Sequence, residues 1–355
     1  MSVLRKEPNE KQTAHGDICM TKHRNRTYAG IGLLAVVALV VLGLALLYQG
    51  GRWLEKQSEK PETRGDYRQR YQYDTLLEYE GATYRLRKNL TTLLVMGVDQ
   101  PGDEAGTGNR NAGQADFLRL VVFDHGNRRI TQLEIDRDTM TPITILGVLG
   151  NRSRVRTAQI SLSHGFGDGK AESCQLTAEA VSNLLLDTPI DFYIAMNLDG
   201  ISVLNDLIGG VTVTLKDDFS ALDPAMTPGT TLTLSGDQAE LYVRGRRSIG
   251  IGTNEARMAR QEEYLSQMTA LLEKRQREDE GFVGTLYDAL EAYLVTNMNR
   301  GRMINEARNA TSYDRAALIR LQGTHQVGTD GFMQFYADDA FLQRTIVDLF
   351  YEEMK

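Results

Sequence analysis

Cysteine is nearly missing from this chain. The 355 residues contain two, Cys19 and Cys174, which excludes a disulfide framework and any cysteine-based metal centre. Histidine is sparse as well. The five residues, at 15, 23, 125, 164 and 325, show no ligand spacing, which argues against zinc. A basic excess is lacking: 40 Lys+Arg face 47 Asp+Glu, for a net charge of −7. Nucleic acid is therefore an unsuitable partner. No internal repeat and no low-complexity segment is visible. The Gly-rich turn region Gln159–Gly169 leads into Lys170, but Ala171 follows where a phosphate-binding loop needs Ser or Thr, and the spacing fails.

What the chain does have is one long apolar run. Tyr28–Tyr48 (YAGIGLLAVVALVVLGLALLY) carries no charge over 21 residues and is capped by Tyr at both ends, enough to span a bilayer with aromatic anchors at its interfaces. A cleaved signal peptide would have a shorter core and a small-residue cleavage site. Here Gln49-Gly50-Gly51-Arg52-Trp53 follows, so the expectation is a retained signal-anchor. Lys22, His23, Arg24 and Arg26 precede the span, which places the N-terminus in the cytoplasm and the C-terminal domain outside. Residues 1–27 hold six of the 40 basic and three of the 47 acidic residues, leaving a net −10 for the remainder. The predicted organisation is a cytoplasmic arm (1–27), a transmembrane anchor (28–48), a charged extracellular stalk (49–85) and a folded domain (86–355). The cell membrane is the expected location, with a single pass.

Within the domain, three short apolar runs read as strands: Thr92–Met96, Phe117–Phe123 and Ile130–Ile135. Asp124-His125-Gly126-Asn127 is a turn composition that joins antiparallel neighbours. If the first and third runs lie parallel, then the end of the first, the start of the second and the end of the third meet. Asp99, Asp116 and Arg137 then sit together, as a site for a metal and a phosphate or as three solvated charges. Downstream, Glu172–Leu186 and Leu198–Ile208 read as helices, the second stopping at Gly209-Gly210. Phe192–Met196 and Val211–Leu215 read as strands, and Leu234-Ser235-Gly236-Asp237 opens a helix. Asn254–Lys274 is a long helix, and Phe282–Leu294 and Met303–Asn309 are further ones. Ala317–Leu321 and Phe332–Tyr336 are expected to form a hairpin-like unit, and Asp338 or Asp339 to cap a final helix. The expected fold class is a single α/β domain with a central mixed sheet flanked by helices.

Arg244, Arg246, Arg257 and Arg260 fall within seventeen residues. Arg257 and Arg260 share a helix face near the positive end of that helix. A bound anion would compensate that charge; ion pairing with Glu255, Glu262 and Glu263 is the alternative.

Together these stretches resemble the LytR-CpsA-Psr (LCP) family. Leu93–Asp99, Ala115-Asp116-Phe117, Ile135–Thr139 (IDRDT), Pro189–Gly200, Leu207–Val213, Gly236–Arg246 and Arg257–Gln261 (RMARQ) follow the family motifs in order. The resemblance implies a membrane-anchored phosphotransferase that moves a glycopolymer, such as teichoic acid or capsule, from a polyprenyl-(pyro)phosphate carrier to peptidoglycan. It implies that Asp99 and Asp116 hold Mg²⁺, that Arg137, Arg244, Arg246 and Arg257 are catalytic and bind phosphate, and that Arg260 and Gln261 join them. The sequence departs from the family at Gln100, at Asp136 in place of Pro, and at Ile251 and Asn254. Two alternatives stay open, a polyprenyl pyrophosphate phosphatase and a non-catalytic wall-binding or regulatory protein. Neither the polymer, the general base nor the oligomeric state is readable.

Overall fold

The computed structural model describes residues 76–99, 112–147, 150–245, 254–279 and 281–354. The span at 28–48 lies outside the described residues; among these, no helix is long and apolar enough to cross a membrane. The chain enters through a hairpin, β1 (Leu76–Tyr79) and β2 (Ala82–Leu86), then lays down β3 (Leu90–Asp99), β4 (Gln114–Asp124) and β5 (Arg129–Ile135). A second hairpin, β6 (Met140–Leu146) and β7 (Arg152–Gln159), leads through the short helix α1 (Leu162–Gly165) to α2 (Ala171–Leu184) and β8 (Phe192–Asn197). Next come α3 (Gly200–Ile208), the pair β9 (Thr212–Thr214) and β10 (Thr231–Thr233), α4 (Gly236–Arg244), α5 (Asn254–Glu278) and α6 (Phe282–Leu290). The chain closes with β11 (Leu294–Thr296), α7 (Arg300–Thr311), β12 (Asp314–Arg315), β13 (Ile319–Arg320), β14 (Gly323–Val327), β15 (Met333–Ala337), α8 (Asp339–Phe350) and β16 (Tyr351–Glu353).

The central sheet has the order β11-β8-β3-β4-β5-β12, with β13 also alongside β5. It is mixed: β3–β4, β4–β5 and β8–β11 are antiparallel, while β3–β8 and β5–β12 are parallel. Both faces are covered, which is why its strands are apolar at successive positions instead of alternating. Leu93, Val95 and Phe117 point into a core shared with α3, α4, α5, α6 and α7. Leu94, Met96 and Leu118 point into a second core with α2 and α8. Each such fully buried side chain contributes about 1.5–3 kcal/mol.

Local signals set the ends of the helices. Ser235 and Gln238 close a capping box at the start of α4. Gly209, at φ 91°, terminates α3 in the left-handed region. Asp338 accepts the Phe341 N–H at 2.7 Å and caps α8 as expected.

Several elements differ from the sequence reading. Residues 76–85, expected in the stalk, lie in the β1–β2 hairpin, whose second strand pairs with the last strand, β16, so they are hydrogen-bonded into the folded unit. The helix expected over Phe282–Leu294 stops at Leu290; after one 3₁₀ turn Leu294–Thr296 joins β8 as a strand. Pairing with a free strand edge outweighs helical propensity there. The expected pairing of Ala317–Leu321 with Phe332–Tyr336 does not form. Instead, Ile319–Arg320 extends the central sheet beside β5, and Met333–Ala337 pairs with the polar strand Gly323–Val327. No apolar pattern announces β14, because all five of its residues are exposed.

Candidate active site

β3 and β5 each run antiparallel to β4 and are therefore parallel to one another, with β4 between them. The end of β3, the start of β4 and the loop after β5 meet at one end of the sheet, as expected for parallel first and third runs. Asp99 lies opposite Gln114. Gly97 pairs with Phe117 but Val98 pairs with Ala115, so Asp116 is an extra, unopposed residue. Such a bulge re-aims a side chain out of the alternation of the strand.

Asp116 meets Arg137. The guanidinium Nη1 lies 2.6 Å from Asp116 Oδ1, with the aspartate side chain 5% exposed and the arginine 31%. Nη2 of Arg137 donates to Gln114 Oε1 at 2.7 Å, and Nε stands 3.7 Å from Asp138 Oδ1. Burial raises the Asp138 carboxyl above its ordinary pKa, with Arg137 opposing the shift. Gln114 and Asp138 were missed as site residues. Asp138 follows Arg137 directly and was legible as a candidate, whereas Gln114 carries no charge to signal a role.

The loop that presents Arg137 is tightly held. Asp136 Oδ1 accepts the Asp138 N–H at 2.8 Å, and the Thr139 N–H and hydroxyl both donate to the Asp136 carbonyl, at 3.0 and 2.6 Å. Ser161 N–H donates to the Arg137 carbonyl at 3.2 Å.

Arg244 reaches the same end of the sheet from the C-terminus of α4. It pairs with Glu240 and lies 4.0 Å from Asp199, two residues past β8, which ends alongside β3. Burial raises the Glu240 carboxyl, and the nearby Asp199 adds to the shift while Arg244 opposes it. Arg246 falls outside the described residues, as does the side chain of Arg257.

Arg260 and Gln261 have a different occupation from the phosphate-binding one expected. Arg260 is 4% exposed and Gln261 2%. The Arg260 guanidinium pairs with Asp217, donates to the Gly245 carbonyl and lies over the Phe219 ring. Gln261 Nε2 donates to the Val243 carbonyl at 3.2 Å. Both therefore satisfy the C-terminal carbonyls of α4, which would otherwise be left without donors, and they fix the entry of α5. Of the glutamates expected to pair with this cluster, Glu262 faces Arg320 and Glu263 pairs with Lys216; the side chain of Glu255 lies outside the described residues.

A cavity of about 550 Å³ opens beside the end of β3. Val98, Met196, Val295, His164, Asp168 and Lys170 are among its lining residues. His164 is buried, and burial lowers its pKa to about 4. Its Nδ1 lies 3.1 Å from the Ala112 carbonyl, which fixes the hydrogen on that nitrogen of the neutral ring.

The sequence profile of the LytR_cpsA_psr family matches residues 55–346. The chain belongs to that family. Among LytR-CpsA-Psr relatives, the protein named polyisoprenyl-teichoic acid–peptidoglycan teichoic acid transferase TagU from Bacillus cereus is 25% identical over 255 residues, 71% of this chain and 75% of the relative. The TagU of Halalkalibacterium halodurans is 31% identical over 161 residues, 45% of this chain and 46% of the relative. Two solved structures share the fold. One is described as TagT bound to LI-WTA, with TM-score 0.51 and 22% identity, covering 74% of this chain and 90% of that one. The other is Bacillus subtilis TagV, with TM-score 0.53 and 20% identity, covering 74% of this chain and 98% of that one.

For a LytR-CpsA-Psr site the two aspartates offer hard oxygen donors suited to Mg²⁺. Among the described residues no group of three or more His, Cys, Asp or Glu side chains could enclose a metal. An ion held by the two aspartates would complete its shell with water and substrate oxygens, and Asp116 would have to serve it while engaged by Arg137.

Proposed function

We propose that this chain is a membrane-anchored phosphotransferase that moves a glycopolymer from a polyprenyl pyrophosphate carrier onto peptidoglycan. The observation that carries the reading is the meeting of Asp99, Asp116 and Arg137 at one end of the sheet, in a chain of the LytR-CpsA-Psr family. The names of the TagU relatives support transfer of a polyisoprenyl-linked polymer to peptidoglycan. In this reading residues 28–48 form the anchor, and the described domain works outside the membrane.

A hydroxyl of peptidoglycan, the muramic C6 hydroxyl, attacks the phosphorus that bears the polymer. The new P–O bond forms as the bond to polyprenyl phosphate breaks, and the hydroxyl proton leaves to solvent or a base. Arg137 offsets charge on the phosphoryl oxygens, with Arg244 approaching along the same sheet end and Arg246 and Arg257 added by the family motif. Asp116 orients Arg137 before substrate arrives, so little reorganisation remains at the moment of reaction. Asp99 and Asp116 would hold a Mg²⁺ ion, and the chemistry it would supply is Lewis-acid polarisation of a phosphoryl oxygen.

The test incubates the full-length chain in detergent with a synthetic polyprenyl-pyrophosphate-linked saccharide and peptidoglycan oligomers. Saccharide bound covalently to peptidoglycan through a phosphodiester is expected. Release of polyprenyl phosphate without attachment, or binding with no turnover, overturns the proposal in favour of a phosphatase or a non-catalytic protein.

A further inference from the structure

The loop that carries Arg137 is gripped from the far end of the chain. The β14–β15 hairpin docks on it: Phe335 N–H donates to the Asp138 carbonyl at 2.8 Å, and Thr139 forms a parallel bridge with Phe335. From β14, His325 Nε2 lies 2.9 Å from Asp136 Oδ2. The other oxygen of the same carboxylate accepts the Asp138 N–H inside the loop. The His325 ring rests on Phe335 at 4.7 Å between centroids. Asp136 thus joins two elements: one oxygen shapes the turn that holds Arg137, and the other is held by the hairpin.

We infer that His325 is a positioning residue for the phosphate site, acting through Asp136 to fix the loop that aims Arg137. The arrangement is a side-chain clamp from the hairpin to the loop. Asp136 alone can serve both contacts, because its two carboxylate oxygens accept one hydrogen bond each. The inference rests on the assignment of Arg137 to phosphate given above. His325 is 49% exposed and Asp136 34%, so the contact is peripheral to the core. Asp138 and Arg137 are the other charged groups at this joint. His325 touches no reacting atom; its effect reaches the substrate only through the placement of Arg137.

The experiment measures binding of inorganic pyrophosphate with Mg²⁺ by calorimetry on the full chain in detergent, for Arg137→Ala, His325→Ala, His325→Gln, Asp136→Ala and the double variant Arg137→Ala/His325→Ala. His325→Ala is expected to weaken binding about fivefold, the reach of a single hydrogen bond. His325→Gln, which keeps a donor, recovers most of that loss. In the Arg137→Ala background, removing His325 changes nothing further, because the group it positions is gone. Thermal midpoints distinguish positioning from damage to the fold, and Asp136→Ala reads the same joint if His325→Ala does not fold. If Arg137→Ala binds pyrophosphate normally, the phosphate assignment itself fails. If Arg137→Ala weakens binding but His325→Ala and Asp136→Ala do not, or if the losses add in the double variant, the clamp is refuted and the phosphate assignment stands.

Discussion

Asp116 and Arg137 set up a competition whose sign can be read in one substitution. The guanidinium is tied to a carboxylate at 2.6 Å. An incoming phosphate must share Arg137 with Asp116 or displace it. At an effective dielectric of about 20, unit charges about 4 Å apart interact by about 4 kcal/mol. The 31% exposure of Arg137 and the cost of desolvating the pair reduce the net value to about 1 kcal/mol. Asp116→Asn removes the charge and keeps the shape. Without Mg²⁺ it should therefore tighten pyrophosphate binding about fivefold, the equivalent of that 1 kcal/mol. With Mg²⁺ the effect should reverse. The wild-type chain gains affinity from a metal shared by Asp99, Asp116 and the phosphate, and the variant loses one of the two protein ligands and most of the gain. Calorimetric titration of the full chain with a polyprenyl pyrophosphate analogue, in EDTA and in Mg²⁺, reads both arms. Equal weakening in both arms, or an Mg²⁺ enhancement that survives Asp116→Asn, refutes the metal role and leaves Asp116 as a structural partner of Arg137.

Other outcomes follow from the same contacts. Arg137→Ala should weaken pyrophosphate binding tenfold or more, since a hydrogen bond to a charged group contributes about 1.5–3 kcal/mol; it should also lower the thermal midpoint by several degrees by stranding Asp116. Arg260→Ala should cost about 3 kcal/mol of stability, seen in denaturant melts, with phosphate affinity of the folded fraction unchanged. His164 has a folded pKa of about 4, below its ordinary 6.5, so the unfolded chain takes the proton first. Its contribution is complete above about pH 6.5 and is lost as pH falls toward 4, by up to about 3 kcal/mol; His164→Gln should flatten the acid limb of a melting-temperature profile over that window. Ser235→Ala should cost about 1 kcal/mol by removing the α4 cap, measured by thermal denaturation.

What the sequence determined by itself is everything that repeats at short range or is ordered along the chain. Apolar runs of strand length gave β3, β4, β5 and β8, because a strand buried on both faces needs apolar residues at successive positions. The turn at Asp124–Asn127 set β4 and β5 as antiparallel neighbours; the pairing of β3 with β4, which makes β3 parallel to β5 and brings Asp99, Asp116 and Arg137 together, came from the fold. The capping signals at Ser235, Gly209 and Asp338 were equally local. Tertiary structure decided what depends on partners distant in sequence. Whether an arginine faces substrate or protein depends on which carbonyls lie near it after folding; Arg260 and Gln261 are consumed by the end of α4, although they share a motif with Arg257. Leu294–Thr296 became a strand because β8 offered a free edge, and no neighbour in sequence signals that edge. The polar strand β14 lacks any apolar pattern, yet it brings His325 to Asp136 across 189 positions. Charge and hydropathy are written residue by residue, but a side chain's partner is fixed only when the chain closes on itself.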